Sequence, residues 1–277
     1  MAMSALPSPR VDDEVVRYEV DNGVAVLTLN RPDRMNAWTL EMEDRYFDLL
    51  LEADADPEVR AVVVTGAGKA FSPGADADEL GAGAAVGALE FGQLHRRSST
   101  LPLTVGKPVI GAINGAVAGI SLVQVLQMDV RFIAAEAKLT FAFPRRGLVA
   151  ESCAAWLLPR LIGTARALDL LLSGRTVLAD EALELGLANW VVPRDGVLEA
   201  ALGYAHDLVK HCSPRSMAII KQQVFRAWEI DLETARIEVA ASMAAAFASD
   251  DFKEGVRSFV DRRPPAFAGL TTEGRRG

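Results

Sequence analysis

The chain has 277 residues, of which 50% are hydrophobic and 24% charged, a balance that is typical of a globular protein and excludes a largely disordered one. Its formal net charge of −8 argues against non-specific binding to the phosphate backbone of nucleic acid. The two cysteines, Cys153 and Cys212, are too few for a disulfide framework, so we expect a cytoplasmic protein.

The N-terminal segment carries no sign of a secretory signal. Residues 1–12 contain two prolines and no apolar run, so they are predicted to be a flexible leader. Alternating apolar residues then predict strands at 15–20 and 24–29. The Asp-Asn-Gly turn at 21–23 between them predicts a hairpin.

The next part of the chain alternates between helical and strand patterns. Apolar residues at helical spacing predict a helix over 40–53. Continuous apolar runs at 61–65, 109–113 and 130–134 are typical of strands covered on both faces. Residues 81–87 are almost all Gly and Ala and are predicted to form a loop. The order favours an α/β core of parallel strands joined by helical crossovers.

The chain after residue 150 is predominantly helical. Thr164 is predicted to cap a helix that runs to residue 172, Gly186 to close a helix over 180–185, and Ser213-Pro214 to start another. Two more helices are predicted over 232–247 and 252–260. We expect a core at 13–205 and a C-terminal helical region at 206–277.

One uncharged segment, residues 108–128, has glycines at every fourth position, as membrane helices do. Polar residues interrupt it, so a buried strand, turn and helix is the preferred prediction, and no membrane partner is expected. Two other short segments do not match the phosphate-binding or catalytic motifs that they resemble in part. The Gly-Ala-Gly-Lys run at 66–69 lacks the other residues of a phosphate loop, and Ser121 lacks the second glycine of a nucleophile elbow. The histidines have no metal-ligand spacing, so no metal is expected.

Two strand-to-helix turns, in 61–76 and 107–120, are the candidate site. Each runs from a buried strand through glycine-rich chain towards a helix, where backbone N–H groups are free to bind a ligand oxygen. Two converging turns would form an oxyanion hole. The alternative is a pair of ordinary tight turns in an α/β domain.

Several segments in order resemble the crotonase superfamily, which contains enoyl-CoA hydratases and isomerases. The turns resemble its two oxyanion segments, and the resemblance covers almost the whole chain. The similar segments are 31–37, 71–76, 114–120, 158–163, 186–193 and 259–267. The resemblance implies the ClpP/crotonase fold, an α/β class with a spiral β-core, flanking helices and a helical C-terminal trimerisation region. It also implies a homotrimer or a dimer of trimers.

The resemblance implies an acyl-CoA substrate whose thioester oxygen binds the N–H groups of Ala75 and Ile120. Hydratases of the family use two glutamates to activate water, and the corresponding positions here are Val123 and Phe143. Neither side chain can transfer a proton. This departure puts hydration in doubt and implies an apolar wall beside the substrate.

A carboxylate follows nearby, at Glu151. The stretch from Phe141 to Glu151 is similar to peroxisomal-type Δ3,Δ2-enoyl-CoA isomerases, in which the equivalent glutamate is the base. Isomerisation needs one base and no water. The alternative is that Glu151 merely favours the N-terminus of a helix that ends near Pro159.

The coenzyme A end of the substrate is expected near the same turns. The resemblance implies that backbone around a set of small and polar residues lines it: Asn36, Ala37, Gly74, Asp76, Ala77 and Gly119. Phe259 and Arg262 match positions that contribute to coenzyme A, often from a neighbouring subunit. The alternative is that Arg262 and Arg263 form a solvated basic end. Residues 252–277 carry a net charge of +3 and the rest of the chain −11, so a local contact with phosphates is compatible with an acidic protein.

The sequence therefore favours an enoyl-CoA hydratase/isomerase-family enzyme that shifts a double bond from Δ3 to Δ2 through an oxyanion-stabilised enolate. No cofactor is expected, because coenzyme A is part of the substrate. Three alternatives stay open: an enoyl-CoA hydratase of fatty-acid metabolism, a non-catalytic acyl-CoA-binding member of the fold, and a thioester hydrolase.

Overall fold

A computed structural model describes residues 14–78 and 97–270 of the chain. The predicted leader at 1–12 and the predicted loop at 81–87 lie outside these residues.

The larger sheet of the described chain is mostly parallel. Its strands are β1 (Val16–Asp21), β2 (Val24–Leu29), β3 (Ala61–Gly66), β4 (Val109–Ile113), β6 (Val130–Ala134) and β9 (Trp190–Val192), in the order β1-β2-β3-β4-β6-β9. β1 and β2 form the predicted antiparallel hairpin, and every later neighbour is parallel. Every residue of β3 and β4 is buried, which explains their continuous apolar sequences.

A smaller sheet is formed by three short strands that follow β4 in the chain. Its strands are β5 (Val117–Ala118), β7 (Lys138–Thr140) and β8 (Thr176–Leu178), in the order β5-β7-β8. Two isolated parallel bridges, Trp38 with Ala75 and Ser72 with Val117, continue this pairing beyond β5. Both predicted oxyanion turns are therefore held by sheet-type pairing.

Helices cover both sides of the larger sheet. The α-helices are α1 (Leu40–Ala55), α2 (Gly119–Leu126), α3 (Ala154–Ile162), α4 (Thr164–Ser173), α5 (Ala179–Leu185), α6 (Val197–His211), α7 (Pro214–Arg226), α8 (Leu232–Ala248) and α9 (Asp250–Asp261). α1 packs in one apolar cluster with β1, β2 and α2, and α6 packs in a second cluster against β3, β4 and β6. The predicted boundary at 205/206 falls within α6, and the division into two regions stays a prediction.

The segment 108–128 forms β4, β5 and α2, which are almost entirely buried, as the strand, turn and helix prediction requires. No helix within 14–78 or 97–270 has the length and apolar character needed to cross a membrane.

Two details of the helical half differ from prediction. Thr164 is the first residue of α4, not its cap, because Gly163 at φ 83° supplies the turn between α3 and α4. Pro159 lies inside α3, which continues to Ile162, so a missing proline N–H is tolerated there. Ser213 does cap α7, with its hydroxyl accepting from the Ser216 amide at 3.0 Å.

Candidate active site

The two glycine-rich turns lie side by side and are joined through their backbones. The Ser72 amide donates to the Ala116 carbonyl at 3.1 Å, and the Ala118 amide donates to the Ser72 carbonyl at 3.1 Å. These bonds bring the end of β3 against the start of α2. The resemblance to the crotonase superfamily implied that the turns converge, and the structure brings them together.

Two glycines allow the turns to approach this closely. Gly74 has φ 96° and Gly119 has φ 53°, both in the region that favours glycine. A Cβ atom on Gly74 would lie 2.9 Å from the Ala118 carbonyl oxygen and 3.5 Å from the Gly119 Cα. The contact between the turns therefore leaves no space for a side chain at Gly74.

The amide of Ala75 is directed towards the second turn. The Gly74 carbonyl accepts from the Trp38 amide at 2.8 Å, on the other side of the first turn. In a trans peptide the C=O and N–H point in opposite directions, so the Ala75 N–H points away from Trp38. No acceptor for this N–H exists among the described residues.

The amide of Ile120 is available for a different reason. Ile120 is the second residue of α2, so its N–H has no carbonyl of a preceding helical turn to bind. It donates to no acceptor in the described parts of the chain, and the helix N-terminus favours a negatively charged partner. Ala75 is half-buried and Ile120 is buried, so an oxygen bound to both amides would be largely removed from water.

Val123 and Phe143 belong to the same apolar cluster as Ile120, and both are buried. Ala75 packs against this cluster from the side of the first turn. The two positions that correspond to the hydratase glutamates are therefore both buried and apolar.

Glu151 lies at the entrance to α3 and is half-buried. Ala150, its neighbour, packs against the main apolar cluster of the protein, and α3 packs against α2. Ser152 and Cys153 both adopt positive φ, 49° and 63°, which is strained for residues other than glycine. Strained backbone occurs more often at active sites than in ordinary turns. Two consecutive strained residues next to Glu151 therefore favour a functional site here.

The predicted coenzyme A residues near the first turn have fixed positions. Asn36, with φ 62°, is completely buried; its Oδ1 accepts from the Arg31 amide and its Nδ2 donates to the Ala67 and Ala70 carbonyls, all at 2.9 Å. The side chain of Asn36 is thus committed to the protein. Asn36 can therefore affect a ligand only through the position of its loop. That loop includes buried Ala37, whose carbonyl accepts a hydrogen bond from the Arg31 guanidinium.

Asp76 is also committed to the protein. It is buried, and its carboxylate accepts from the Asp78 amide at 3.1 Å and from the Arg31 guanidinium at 3.0 Å. These two partners hold the pKa of Asp76 below its ordinary value, so it is ionised and structural. Ala77, by contrast, is exposed beside it and is open to a ligand.

Phe259 and Arg262 lie at the end of α9. Phe259 is 85% exposed, and Arg262 is exposed and adopts φ 53° as the helix terminates. The neighbouring Arg263 makes a two-pronged ion pair with Glu254, at 2.6 and 3.0 Å, and lowers the pKa of Glu254 to about 2. Arg262 forms no ion pair with any described residue, so the two arginines are not equivalent.

Sequence reasoning missed one contact between the two turns. The hydroxyls of Ser72 and Ser121, both completely buried, are 2.7 Å apart. Ser121 was considered only as a nucleophile. The contact joins residues 49 positions apart, and no motif signals it.

Comparisons with known proteins agree with this architecture. A family model described as enoyl-CoA hydratase/isomerase matches residues 19–270. The enoyl-CoA hydratase ACTT3 of Alternaria alternata is 34% identical over 257 residues, covering 89% of this chain and 83% of that protein. The 1,2-epoxyphenylacetyl-CoA isomerase of Escherichia coli K12 is 33% identical over 267 residues, covering 92% and 99%.

The fold matches equally well. A crystal structure described as a probable enoyl-CoA hydratase/isomerase from Mycobacterium abscessus superposes with a TM-score of 0.85 at 34% identity, covering 92% of this chain and 99% of that one. The α/β crotonase fold inferred from sequence is therefore confirmed. A particular closeness to peroxisomal-type isomerases stays a prediction. The chain belongs to the enoyl-CoA hydratase/isomerase family, within the crotonase superfamily, and is an enzyme of the isomerase or lyase class.

Proposed function

We propose that this enzyme moves the double bond of an enoyl-CoA thioester from C3–C4 to C2–C3, with Glu151 as the base. The observation that carries the proposal is the pair of amides, Ala75 and Ile120, which lack acceptors in the described protein and lie on two joined turns. Donors fixed in this way stabilise the negative charge that develops on a thioester oxygen when a neighbouring C–H loses its proton.

The proposed reaction needs a single proton carrier. Glu151 removes a proton from C2, and the electron pair spreads over C2 to C4 and the thioester oxygen. The protonated carboxyl then returns the proton at C4, and the double bond remains between C2 and C3. Substrate and product have the same atoms, so the reaction consumes no water and no other reactant.

The residues around Ile120 support isomerisation over hydration. Val123 and Phe143 are buried and apolar, and neither can hold or activate a water molecule. A dry surface next to the enolate also limits protonation by solvent. We therefore propose that the family's acyl-CoA chemistry is performed here by the transfer of one proton through Glu151. We also propose a cytoplasmic location.

The discriminating experiment is a pair of assays with 2-enoyl-CoA and 3-enoyl-CoA of equal chain length. We expect 3-enoyl-CoA to be converted at least about 100-fold faster than 2-enoyl-CoA is hydrated, because isomerisation needs only Glu151 and the two hydratase glutamate positions hold Val123 and Phe143. Rapid hydration of 2-enoyl-CoA would favour the hydratase alternative. Binding without either reaction would favour the non-catalytic alternative.

Arg262 is proposed to contact a phosphate of coenzyme A. We expect Arg262→Ala to raise the Kd of an acyl-CoA about tenfold, or about 1.4 kcal/mol, with kcat little changed, because the contact is remote from the reacting carbons. Isothermal titration with a saturated acyl-CoA would measure it. Arg257→Ala is the matched control, since it removes an exposed arginine from the same helix. Equal losses in both variants would indicate a general field effect.

We also propose that the chain forms a homotrimer, alone or as paired trimers, through α8 and α9. α8 has no buried residue, although its sequence includes many apolar side chains. The exposed apolar residues of the two helices are Leu232, Ile237, Val239, Met243, Phe247, Phe252, Val256, Phe259 and Val260. Apolar surface on this scale is typical of an interface. Sedimentation equilibrium should give three or six chain masses, and a monomer at micromolar concentration would contradict the proposal.

A further inference from the structure

Two buried hydroxyls connect the candidate oxyanion turns. Ser72 lies three residues before Ala75, and Ser121 directly follows Ile120. Their Oγ atoms are 2.7 Å apart, and neither residue has any exposed surface. Each hydroxyl therefore belongs to one of the two segments whose amides would bind the thioester oxygen.

The direction of the hydrogen bond follows from the other contacts. The Ser72 hydroxyl donates to the Asn36 carbonyl at 2.7 Å, and a carbonyl can only accept. Because Ser72 has a single hydroxyl hydrogen, Ser121 is the donor between the two serines. The chain of donation therefore runs from Ser121 to Ser72 to Asn36.

The end of this chain is firmly held. The Asn36 side chain makes three hydrogen bonds of 2.9 Å to the surrounding backbone, two of them to the loop between β3 and the first turn. The first turn of α2, in contrast, has no side-chain cap at Ala118. The Ser121 hydroxyl thus ties the uncapped start of α2 to a rigid loop.

We propose that Ser121 and Ser72 are positioning residues that set the distance and angle between the Ala75 and Ile120 amides. This inference rests on the proposed oxyanion role of those amides. Two donors stabilise an enolate oxygen only when both reach it at hydrogen-bond distance, and backbone amides have no side chain through which their position could be adjusted. The hydrogen bond between the two serine side chains fixes the position of one turn relative to the other.

The first test is Ser121→Ala. Ser72 keeps its donation to Asn36 in this variant, so no buried donor loses its partner and the fold should persist. We expect kcat to fall about 10- to 100-fold with KM changed less than about threefold, because a shift of about 1 Å in a catalytic donor has that cost. Ser72→Ala should have at least as large an effect. The double variant should be no worse than Ser72→Ala alone, since both serines act through one bond.

A spectroscopic measurement separates positioning from general structural damage. Infrared difference spectra of a bound saturated acyl-CoA, labelled with ¹³C at the thioester carbonyl, report how strongly the amides polarise that carbonyl. The wild type should show a lowered stretching frequency, and Ser121→Ala should lose part of the shift. Ser258→Ala is the matched control, because it makes the same substitution at a buried hydroxyl that donates to the Gly255 carbonyl at 3.0 Å, within α9 and outside both turns. It should keep both kcat and the shift.

The outcomes distinguish this inference from the proposed function. No carbonyl shift in the wild type would overturn the oxyanion assignment and the serine role with it. A wild-type shift that Ser121→Ala retains, together with kcat within about twofold of wild type, would overturn only the serine role. A loss of the shift in Ser121→Ala but not in Ser258→Ala supports both.

Discussion

Glu151→Gln should abolish the isomerisation of 3-enoyl-CoA while leaving acyl-CoA binding nearly intact. Glutamine has the size and shape of glutamate but cannot accept a proton from C2. General base catalysis is worth about 10²- to 10⁴-fold, so kcat should fall by at least that range when the proposed proton carrier is lost. Rapid mixing with 3-enoyl-CoA measures turnover, and titration with a saturated acyl-CoA measures the Kd.

The control for this change is Glu136→Gln, which makes the same substitution at an exposed carboxylate in the turn between β6 and β7. It should leave both kcat and Kd at their wild-type values. Full activity in Glu151→Gln would remove Glu151 from the mechanism. A large rise in Kd with kcat maintained would instead assign Glu151 to binding.

Gly74→Ala should lower kcat/KM by at least about 100-fold, because it separates the two turns. The added methyl group would lie 2.9 Å from the Ala118 carbonyl oxygen, which is too close for van der Waals contact, and the backbone φ of 96° disfavours alanine as well. We expect this contact to be relieved by a movement of one turn away from the other. Steady-state kinetics with 3-enoyl-CoA, together with thermal unfolding, checks this expectation.

Gly186→Ala is the matched control for backbone strain. Gly186 has φ 84° at the end of α5, and its nearest neighbour to an added Cβ is a carbonyl oxygen 3.9 Å away. Alanine there should cost about 1 kcal/mol of stability and leave kcat/KM unchanged. If the two variants lost activity equally, or if Gly74→Ala kept it, the close contact between the turns would have no role in catalysis.

The strands were predictable because they depend on local patterns, whereas the convergence of the turns followed only from the resemblance to the crotonase superfamily. The boundaries of β2, β4 and β6 agree with the apolar runs at 24–29, 109–113 and 130–134. The hairpin follows from its Asn-Gly turn. Buried parallel strands leave little freedom in where they begin and end, since each residue added at either end must also find a buried environment.

The strained and the long-range features were not predictable. Met35, Ser152 and Cys153 adopt positive φ although their residue types rarely do, so the sequence does not signal it. The bond between Ser72 and Ser121 joins distant segments and appears only after folding. Thr164 was predicted as a cap because threonine is a common cap, yet Gly163 occupies that position.

The C-terminal chain is attached to the rest of the protein at two points, and this affects how copies of the chain associate. After α9 it returns to the body, where the Phe267 carbonyl accepts from Arg60 at 2.7 Å and Gly269 packs against the Pro57 carbonyl so tightly that only glycine fits. At the start of this C-terminal segment, α7 is held by the Lys221–Asp129 ion pair at 2.7 Å. The helices between these points are thus fastened at both ends. Association can then proceed between surfaces that are already ordered, with a smaller loss of conformational entropy, and exchange of this arm between subunits is disfavoured.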